Sequence, residues 1–292
     1  MKGKTGNSRE SVLSLTASQK FQRFALRALC KVSLNLGANV ALHHFTKARR
    51  RSLYKQESLP PGKISLFLSY RKGHLSTYSW GEGKRTVYLV HGWESHVGRM
   101  SGFIQPLLDR GFRVVAFDMP GHGYSSQQQT YLNDFSAALG SVIKHYGEPY
   151  GIIAHSFGAT ATAVLLEKQR NLRPKRLCLI APMFSIQDHI NIFNTIAGLS
   201  QNVIDKMIAQ LKRRFSDEVC EYDMTQLIGK IDLGGFLVHD EHDSLIPFEC
   251  GQQLSQSWQR ASFLKTQNLG HRKILKNSEV IDSIITYVAV LS

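Results

Sequence analysis

The sequence predicts an α/β protein built on a mainly parallel β-sheet that is covered by helices on both faces. Between residues 85 and 181, short apolar runs alternate with helical patterns, which is typical of parallel strands joined by crossover helices. The alternation resumes at residue 235 after a stretch with helical patterns and no strand pattern. A chain of 292 residues is long enough to build a sizeable core from this arrangement.

The residue patterns place the elements in order along the chain. Two β-rich runs, 64–70 and 75–80, flank Lys72-Gly73 and predict an antiparallel hairpin. Further strands are expected at 85–90, 113–118, 150–154, 176–181, 235–239 and 262–265. Helices are expected at 98–110, 132–146, 159–170, 251–259 and 278–290.

One predicted strand-to-helix junction carries a serine in the setting of a nucleophile. Residues 154–158 read A-x-S-x-G, and Ser156 lies between the small residues Ala154 and Gly158. A serine on such a sharp turn holds its Oγ clear of the backbone, as in a nucleophile elbow. Serine also favours helix N-caps, so a purely structural role for Ser156 is the alternative.

Candidate partners for this serine follow in the order acid, then histidine. The loop after the strand predicted at 235–239 holds two aspartates, and we expect Asp243 to be the acid, with Asp240 as the alternative. His271 follows on a glycine-flanked loop after the strand predicted at 262–265, and we expect it to be the base. Carboxylates at the C-terminal ends of parallel strands face the crevice where such sheets bind ligands.

The donors for an oxyanion are predicted in the backbone. The buried-strand pattern at 85–90 ends in His91-Gly92-Trp93, and Phe157 directly follows the serine. In this architecture one amide comes from such an upstream loop and the other from the residue after the nucleophile. We therefore expect the N–H groups of Trp93 and Phe157 to form the oxyanion hole.

Taken together, these stretches resemble the α/β-hydrolase superfamily from about residue 63 to the C-terminus. The loop at 117–125 and the segment 239–247 also match, and the His91-Gly92-Trp93 and 270–272 stretches look most like bacterial hydrolases of undefined substrate. The resemblance implies cleavage of a carboxylic ester, thioester or amide of a small-molecule acyl substrate through an acyl-enzyme, with no cofactor. An acyltransferase with the same triad and a catalytically silent binding protein of the same fold are the alternatives.

The resemblance also divides the chain. Members of the superfamily place a lid before the strand that carries the acid, so residues 183–230 are expected to form a small helical cap. An apolar stripe in this segment comprises Val203, Ile204, Met207, Ile208 and Leu211. Residues 59–292 are expected to form the hydrolase domain, and residues 1–58 a basic helical N-terminal extension.

The net charge of +14 is concentrated in this extension. Residues 1–55 contain twelve Lys or Arg and one acid and carry +11, which leaves +3 for the remainder. Because no nucleic-acid motif accompanies the charge, a nucleic-acid partner is not expected. From Phe21, an apolar stripe with helical spacing continues through Phe24, Ala25, Ala28, Leu29, Val32 and Leu36. We expect it to pack on the hydrolase domain; the alternative is peripheral binding to an anionic membrane surface.

Neither a targeting segment nor a metal site is expected. The early apolar stretch 12–15 is too short for a signal peptide, and the four cysteines lack redox or metal spacing. A cytoplasmic location, with peripheral contact to the inner membrane as the alternative, is therefore expected. The His239, Asp240, His242, Asp243 cluster lacks the characteristic spacing of zinc ligands. The oligomeric state stays open.

Overall fold

The computed structural model describes residues 16–48, 59–215 and 222–290. In these residues, eight strands form one sheet in the order β1-β2-β4-β3-β5-β6-β7-β8. The strands are β1 Ile64–Tyr70, β2 Gly73–Trp80, β3 Thr86–Val90, β4 Arg113–Phe117, β5 Pro149–His155, β6 Arg176–Ile180, β7 Gly235–Asp240 and β8 Ala261–Thr266. β2 pairs antiparallel with β1 and β4, and the other neighbouring pairs are parallel. The predicted fold class is confirmed.

Helices cover both faces of the sheet. In the described part of the chain they are α1 Ala17–Val32, α2 Leu34–Thr46, α3 Ile104–Asp109, α4 Leu132–Tyr146, α5 Phe157–Lys168, α6 Ile186–Ala197, α7 Gln201–Phe215, α8 Met224–Ile231, α9 Phe248–Ser257, α10 Gly270–Lys273 and α11 Ser278–Ala289. The helix expected at 98–110 is divided into a 3₁₀ segment, Val97–Phe103, and α3. Pro106 explains the division, because it has no N–H to donate to the carbonyl of Gly102 four residues earlier.

The strands in the middle of the sheet are buried on both sides, which explains their continuous apolar sequences. All five residues of β3 are buried. Val87 and Leu89 belong to a cluster with Ile104 and the α11 residue Ile284. Tyr88 and Val90 belong to a second cluster with residues of α4, α5 and the helices between β6 and β7. The period of two therefore gives the sheet two separate hydrophobic layers.

Three helices of the described residues, α6 to α8, lie between β6 and β7, where the sequence predicts a cap. Ser185 caps α6 by accepting a hydrogen bond from the N–H of Asp188, and α6 ends at Gly198 in the left-handed region, at φ +60°. Of the apolar stripe predicted in this segment, all members but the half-buried Ile208 are buried on α7. Residues 216–221 of the predicted cap lie outside the described residues.

The N-terminal helices form a hairpin against these cap helices. Ser33 ends α1 and caps α2 through its hydroxyl, and α2 buries Ala41, Leu42 and Phe45 in the core. The rest of the predicted extension, residues 1–15 and 49–58, lies outside the described residues. Within the described ranges, none of the helices combines the length and the apolar character that crossing a bilayer requires.

The expectation that the apolar stripe of α1 packs on the domain is wrong. Phe21 and Phe24 are each 71% exposed and Val32 is 84% exposed, whereas Leu26 and Cys30, on another face of α1, pack against the core. Small residues on α2 allow this approach, since a Cβ at Gly37 would lie 2.5 Å from the Sγ of Cys30. α1 is therefore held to the protein by the side that carries Leu26 and Cys30, and the side that carries Phe21, Phe24 and Val32 faces outward.

α5 packs very closely against the end of β3. A Cβ added at Gly158 would overlap the carbonyl oxygen of His91, and it would lie 3.0 Å from the Cγ1 of Val90. A backbone carbonyl cannot move aside as a side chain can, so only glycine fits here. By contrast, a Cβ at Gly229 on α8 would meet nothing within 4 Å.

Two glycine substitutions in helices should therefore have opposite effects on stability. Gly229→Ala should raise the free energy of unfolding by about 0.5–1 kcal/mol, because alanine favours helix. Gly158→Ala should lower it by about 1–3 kcal/mol, the usual range for overpacking. Urea denaturation of both variants measures the difference, and a stabilised Gly158→Ala protein would contradict the close approach of α5 to His91.

Candidate active site

Ser156 lies at the junction of β5 and α5 in a strained backbone conformation. Its φ is +55° and its ψ is −126°, which is unusual for a residue other than glycine. Its N–H donates to the carbonyl of Ile180, and its own carbonyl accepts from the N–H of Ala159, both at 2.9 Å. The side chain makes no capping hydrogen bond to α5, so the N-cap alternative does not describe its contacts.

The structure brings Ser156, His271 and Asp243 together. The Nε2 of His271 lies 3.0 Å from the Oγ of Ser156, and its Nδ1 lies 2.7 Å from the Oδ2 of Asp243. Since a carboxylate can only accept, the proton belongs on Nδ1, and Nε2 is left to accept from the serine hydroxyl. All three residues are at least half-buried. His271 lies in α10, although the sequence predicts a loop there, because the chain turns helical at Gly270.

The loop after β7 holds the carboxylate of Asp243 in place. Its Oδ1 accepts from the N–H of Leu245 at 2.8 Å and of Ile246 at 2.9 Å. Burial raises the pKa of Asp243, but its hydrogen bond to His271, the charge of His271 and the two amides outweigh burial, so the net pKa is below its ordinary value. The carboxylate therefore stays ionised beside His271.

Asp240 is also buried, but it contacts the backbone that leads to His271 rather than His271 itself. Its carboxylate accepts from the N–H of Gly270 at 2.9 Å, from the N–H of Leu269 at 3.1 Å and from the hydroxyl of Thr266 at 2.7 Å. Burial raises its pKa, yet these donors outweigh burial and leave the pKa lowered. Asp240 thus joins the end of β7 to the segment that carries the predicted base.

His155, directly before the serine, contacts both the backbone and the ring of His271. Its Nε2–H donates to the carbonyl of His271 at 2.9 Å, and the two rings lie 4.7 Å apart. Burial, followed by the charge of His271, lowers the pKa of His155 to about 3, so this ring stays neutral and donates with one nitrogen.

Two further histidines hold the loop after β3. The Nε2 of His91 accepts from the N–H of Met119 at 3.0 Å, and the Nε2 of His122 accepts from the N–H of Glu94 at 2.9 Å. Burial lowers the pKa of His91 well below its usual value. Because a ring nitrogen that accepts carries no proton, both histidines join the loops that follow β3 and β4 as acceptors.

Asp118 also connects these loops. Its carboxylate accepts hydrogen bonds from the N–H of Val97 at 3.1 Å and from the N–H of Tyr124 at 3.0 Å. The loop that carries Trp93 is thereby fixed on both sides.

The two predicted oxyanion amides lie on backbone segments that approach each other closely. A Cβ at Gly92 would be 2.9 Å from the Cβ of Ser156, so the loop after β3 passes directly over the elbow. Phe157 is the first residue of α5, and its N–H has no partner within the helix. The rings of Trp93 and Phe157 are 5.4 Å apart. Both amides stay candidates for the oxyanion hole.

An aromatic wall that the sequence did not indicate lies beside the elbow. His189 of α6 is buried, with its ring 5.0 Å from that of Phe157 and 5.3 Å from that of Trp93. Its other side stacks on Tyr131 at 5.7 Å and meets Phe45 of α2 at 4.6 Å. The signal for His189 was weak, since a histidine on a cap helix has no motif around it.

The acid-rich loop does not gather into a metal site. His239 directs its Nε2 to the carbonyl of Ile246 at 3.1 Å, and the Nδ1 of His242 accepts from the N–H of Asn268 at 3.3 Å. Among the residues the structure describes, no three His, Cys, Asp or Glu side chains are arranged to hold a metal ion.

This sheet with its serine at a strand-to-helix elbow defines an enzyme of the α/β-hydrolase fold, a serine hydrolase of esterase-like type. The chain belongs to the family described as serine aminopeptidase, S33, whose family model matches residues 81–260. The matched region includes Ser156 and Asp243 and ends before His271. The resemblance to the α/β-hydrolases is thus confirmed for most of the hydrolase domain.

Individual relatives agree with this assignment. A human serine hydrolase-like protein is 30% identical over 138 residues, covering 45% of this chain and 68% of that protein. A pimeloyl-[acyl-carrier protein] methyl ester esterase of Methylococcus capsulatus is 41% identical over 81 residues, covering 27% of this chain and 30% of that enzyme. The chain spans 44% and 48% of two further relatives, one human and one from Bacillus subtilis.

The likeness to solved structures extends over more of the chain. The Pyrococcus furiosus esterase Pf2001 superposes with a TM-score of 0.60 at 17% identity, covering 77% of this chain and 91% of that one. At this identity the superposition establishes the shared fold.

The buried His189 should make the protein sensitive to acid. Burial lowers its pKa to about 3, whereas the unfolded chain takes up the proton near pH 6.5, so unfolding becomes easier as the pH falls below about 6.5. Between pH 7 and pH 5 this residue should remove about 2 kcal/mol of stability. His189→Phe should abolish that part of the loss, measured by urea denaturation at both pH values.

An exposed histidine provides the control for this measurement. His145 lies on the surface of α4, so His145→Gln should leave the pH dependence of stability unchanged. A His189→Phe protein with the same pH dependence as the unmodified protein would show that His189 is accessible to protons in the folded state.

Proposed function

We propose that this protein hydrolyses carboxylic esters through an acyl-enzyme formed on Ser156. The observation that carries the proposal is the continuous hydrogen-bonded chain from the Oγ of Ser156 to His271 and Asp243, with distances of 3.0 and 2.7 Å. A serine hydroxyl is a weak nucleophile until a base accepts its proton, and this arrangement supplies the base and the group that orients it.

The first half of the reaction follows from these contacts. The Oγ of Ser156 attacks the acyl carbonyl carbon while its proton passes to the Nε2 of His271. The carbonyl oxygen becomes an oxyanion, which the N–H groups of Trp93 and Phe157 stabilise. The carboxylate of Asp243 stabilises the imidazolium that forms. Collapse of the intermediate breaks the bond to the alcohol, which takes the proton from His271.

In the second half, water replaces the alcohol. His271 accepts a proton from the water, and the hydroxide attacks the acyl carbon. The bond between the acyl carbon and the Oγ of Ser156 then breaks, the carboxylic acid leaves, and His271 returns the proton to Oγ. Every step uses side chains, backbone amides and water, so the proposed reaction requires no cofactor.

The aromatic wall favours an apolar acyl group. Trp93, Phe157 and His189 present rings beside the elbow, and His189 is kept neutral by burial. Carboxylic ester is the substrate class we favour, in line with the methyl ester esterase among the relatives; thioester and amide follow. Acyl transfer to another acceptor would use the same acyl-enzyme, and a silent binding protein would not need the three polar side chains in contact.

The nucleophile can be tested directly with a fluorophosphonate probe. The protein should take up one label, on Ser156, because the probe phosphonylates only a serine whose proton is accepted by a base. Ser156→Ala should abolish labelling and ester turnover, and Ser101→Ala, a change in the 3₁₀ segment, should alter neither. Mass spectrometry locates the label; labelling that persists in Ser156→Ala would refute the serine-hydrolase mechanism.

The two buried aspartates should differ in kinetics. Asp243→Asn should lower kcat by about 10⁴-fold, because the amide would stabilise the wrong tautomer of His271. Asp240→Asn should mainly lower the thermal midpoint, since the segment leading to His271 loses a charged acceptor. Steady-state kinetics and thermal melts of both variants separate the roles. If Asp240→Asn causes the larger loss of kcat, the assignment of Asp243 as the acid is wrong.

A further inference from the structure

The outward side of α1 is an apolar row with no partner among the described residues. Phe21, Ala25, Ala28 and Val32 follow at i, i+4, i+7 and i+11, so they lie along one line of the helix, and all are exposed. Phe24 extends the row sideways. Single exposed apolar residues are ordinary, but a continuous apolar row that includes two phenylalanines marks an interaction site.

The row faces outward because α1 is fixed in its orientation by another side. Leu26 and Cys30 contact the core, and the guanidinium of Arg23 covers Gly198 at the end of α6. A capping box at Thr16 and Gln19 fixes the start of the helix. Phe21 and Phe24 are therefore exposed on a helix whose position on the protein is fixed by other residues.

A row of positive charges runs beside the apolar row. Lys20, Arg27 and Lys31 follow at i, i+7 and i+11, one residue before Phe21, Ala28 and Val32 respectively, so the charged row flanks the apolar row at about 100° around the helix. The described residues of the extension, 16–48, contain no Asp or Glu. The whole segment therefore presents positive charge around an apolar surface.

We propose that α1 is a membrane-docking helix that lies in the interface of an anionic lipid bilayer. Phe21, Phe24 and Val32 enter the boundary between headgroups and acyl chains, while the charged row contacts lipid phosphates. A second copy of this chain is a poorer occupant, because a symmetric contact would set the two positive rows against each other. The site extends beyond the proposed ester hydrolysis and does not depend on it.

Docking would hold the cap side of the enzyme towards the lipid. α1 touches the end of α6 through Arg23, and α2, joined to α1 at Ser33, places Phe45 against His189 of the aromatic wall. α1 is thus connected through α2 to the aromatic wall beside Ser156. An acyl chain leaving the bilayer would meet this side of the protein first.

Vesicle flotation tests the proposal with the full-length protein. The protein should float with phosphatidylcholine vesicles that contain phosphatidylglycerol and stay behind with phosphatidylcholine alone. Salt at about 1 M, which shortens the screening length to about 3 Å, should weaken binding strongly. Because no turnover is measured, Ser156→Ala should bind as the unmodified protein does, and the outcome is separate from that of the catalytic proposal.

Two sets of variants assign the binding to α1. Lys20→Gln/Arg27→Gln/Lys31→Gln should weaken partition on the order of 100-fold at low salt, and Phe21→Ser/Phe24→Ser at least about tenfold. The matched controls are three exposed lysines elsewhere, changed as Lys84→Gln/Lys144→Gln/Lys175→Gln, and the exposed β1 pair Ile64→Ser/Phe67→Ser, which are 66% and 68% exposed. Both controls should keep binding.

Several results would overturn the assignment. The assignment is wrong if the full-length protein does not bind anionic vesicles. It is also wrong if the α1 variants and their controls lose vesicle binding equally. A thermal midpoint that falls in Phe21→Ser/Phe24→Ser, with vesicle binding unchanged, would mean that another part of this chain covers the row. A dimer by analytical ultracentrifugation that the same change dissociates, again without an effect on vesicles, would identify a second copy as the occupant.

Discussion

The close approach of three backbone segments at the elbow is the constraint on which the site depends. The loop after β3, the turn at Ser156 and the first turn of α5 come together where Gly92 and Gly158 leave no room for a side chain. This contact puts Trp93 and Phe157, the predicted oxyanion residues, on adjacent backbone segments. Preorganised amides stabilise a developing charge well because they need no reorganisation during the reaction.

Buried polar groups around the elbow act mainly by joining loops. His91, His122 and Asp118 connect the loops after β3 and β4, and His155 and Asp240 hold the segment of His271. His91 and His122 can do this as neutral rings, because each accepts an amide N–H with Nε2 and donates from Nδ1 to a carbonyl. His155 contributes its Nε2–H alone. Three or more buried imidazoles next to one another would repel if charged, so neutrality is a condition for this packing.

Much of the fold and of the candidate site was predictable because its signals are local. Strand periodicity, the small residues around Ser156 and the polar residues at the ends of β7 and β8 are readable within a few positions each. Their convergence follows from the shared edge at which parallel strands end. The 3₁₀ segment and the short helix at His271 were missed because they depend on a few hydrogen bonds rather than on a pattern.

Other features depend on contacts that a pattern cannot specify. The sequence of an amphipathic helix such as α1 indicates an apolar side but does not indicate whether other parts of the protein cover that side. In α1, Leu26 and Cys30 face the core and Phe21 does not. Likewise His189 meets Phe157 only through the tertiary packing of α6.

The proposed base lies far beyond the nucleophile along the chain. His271 is 115 residues beyond Ser156, so at ribosomal rates the proposed base emerges on the order of ten seconds after the serine. A nascent chain that has not yet reached His271 therefore carries the elbow sequence of Ser156 without the proposed base.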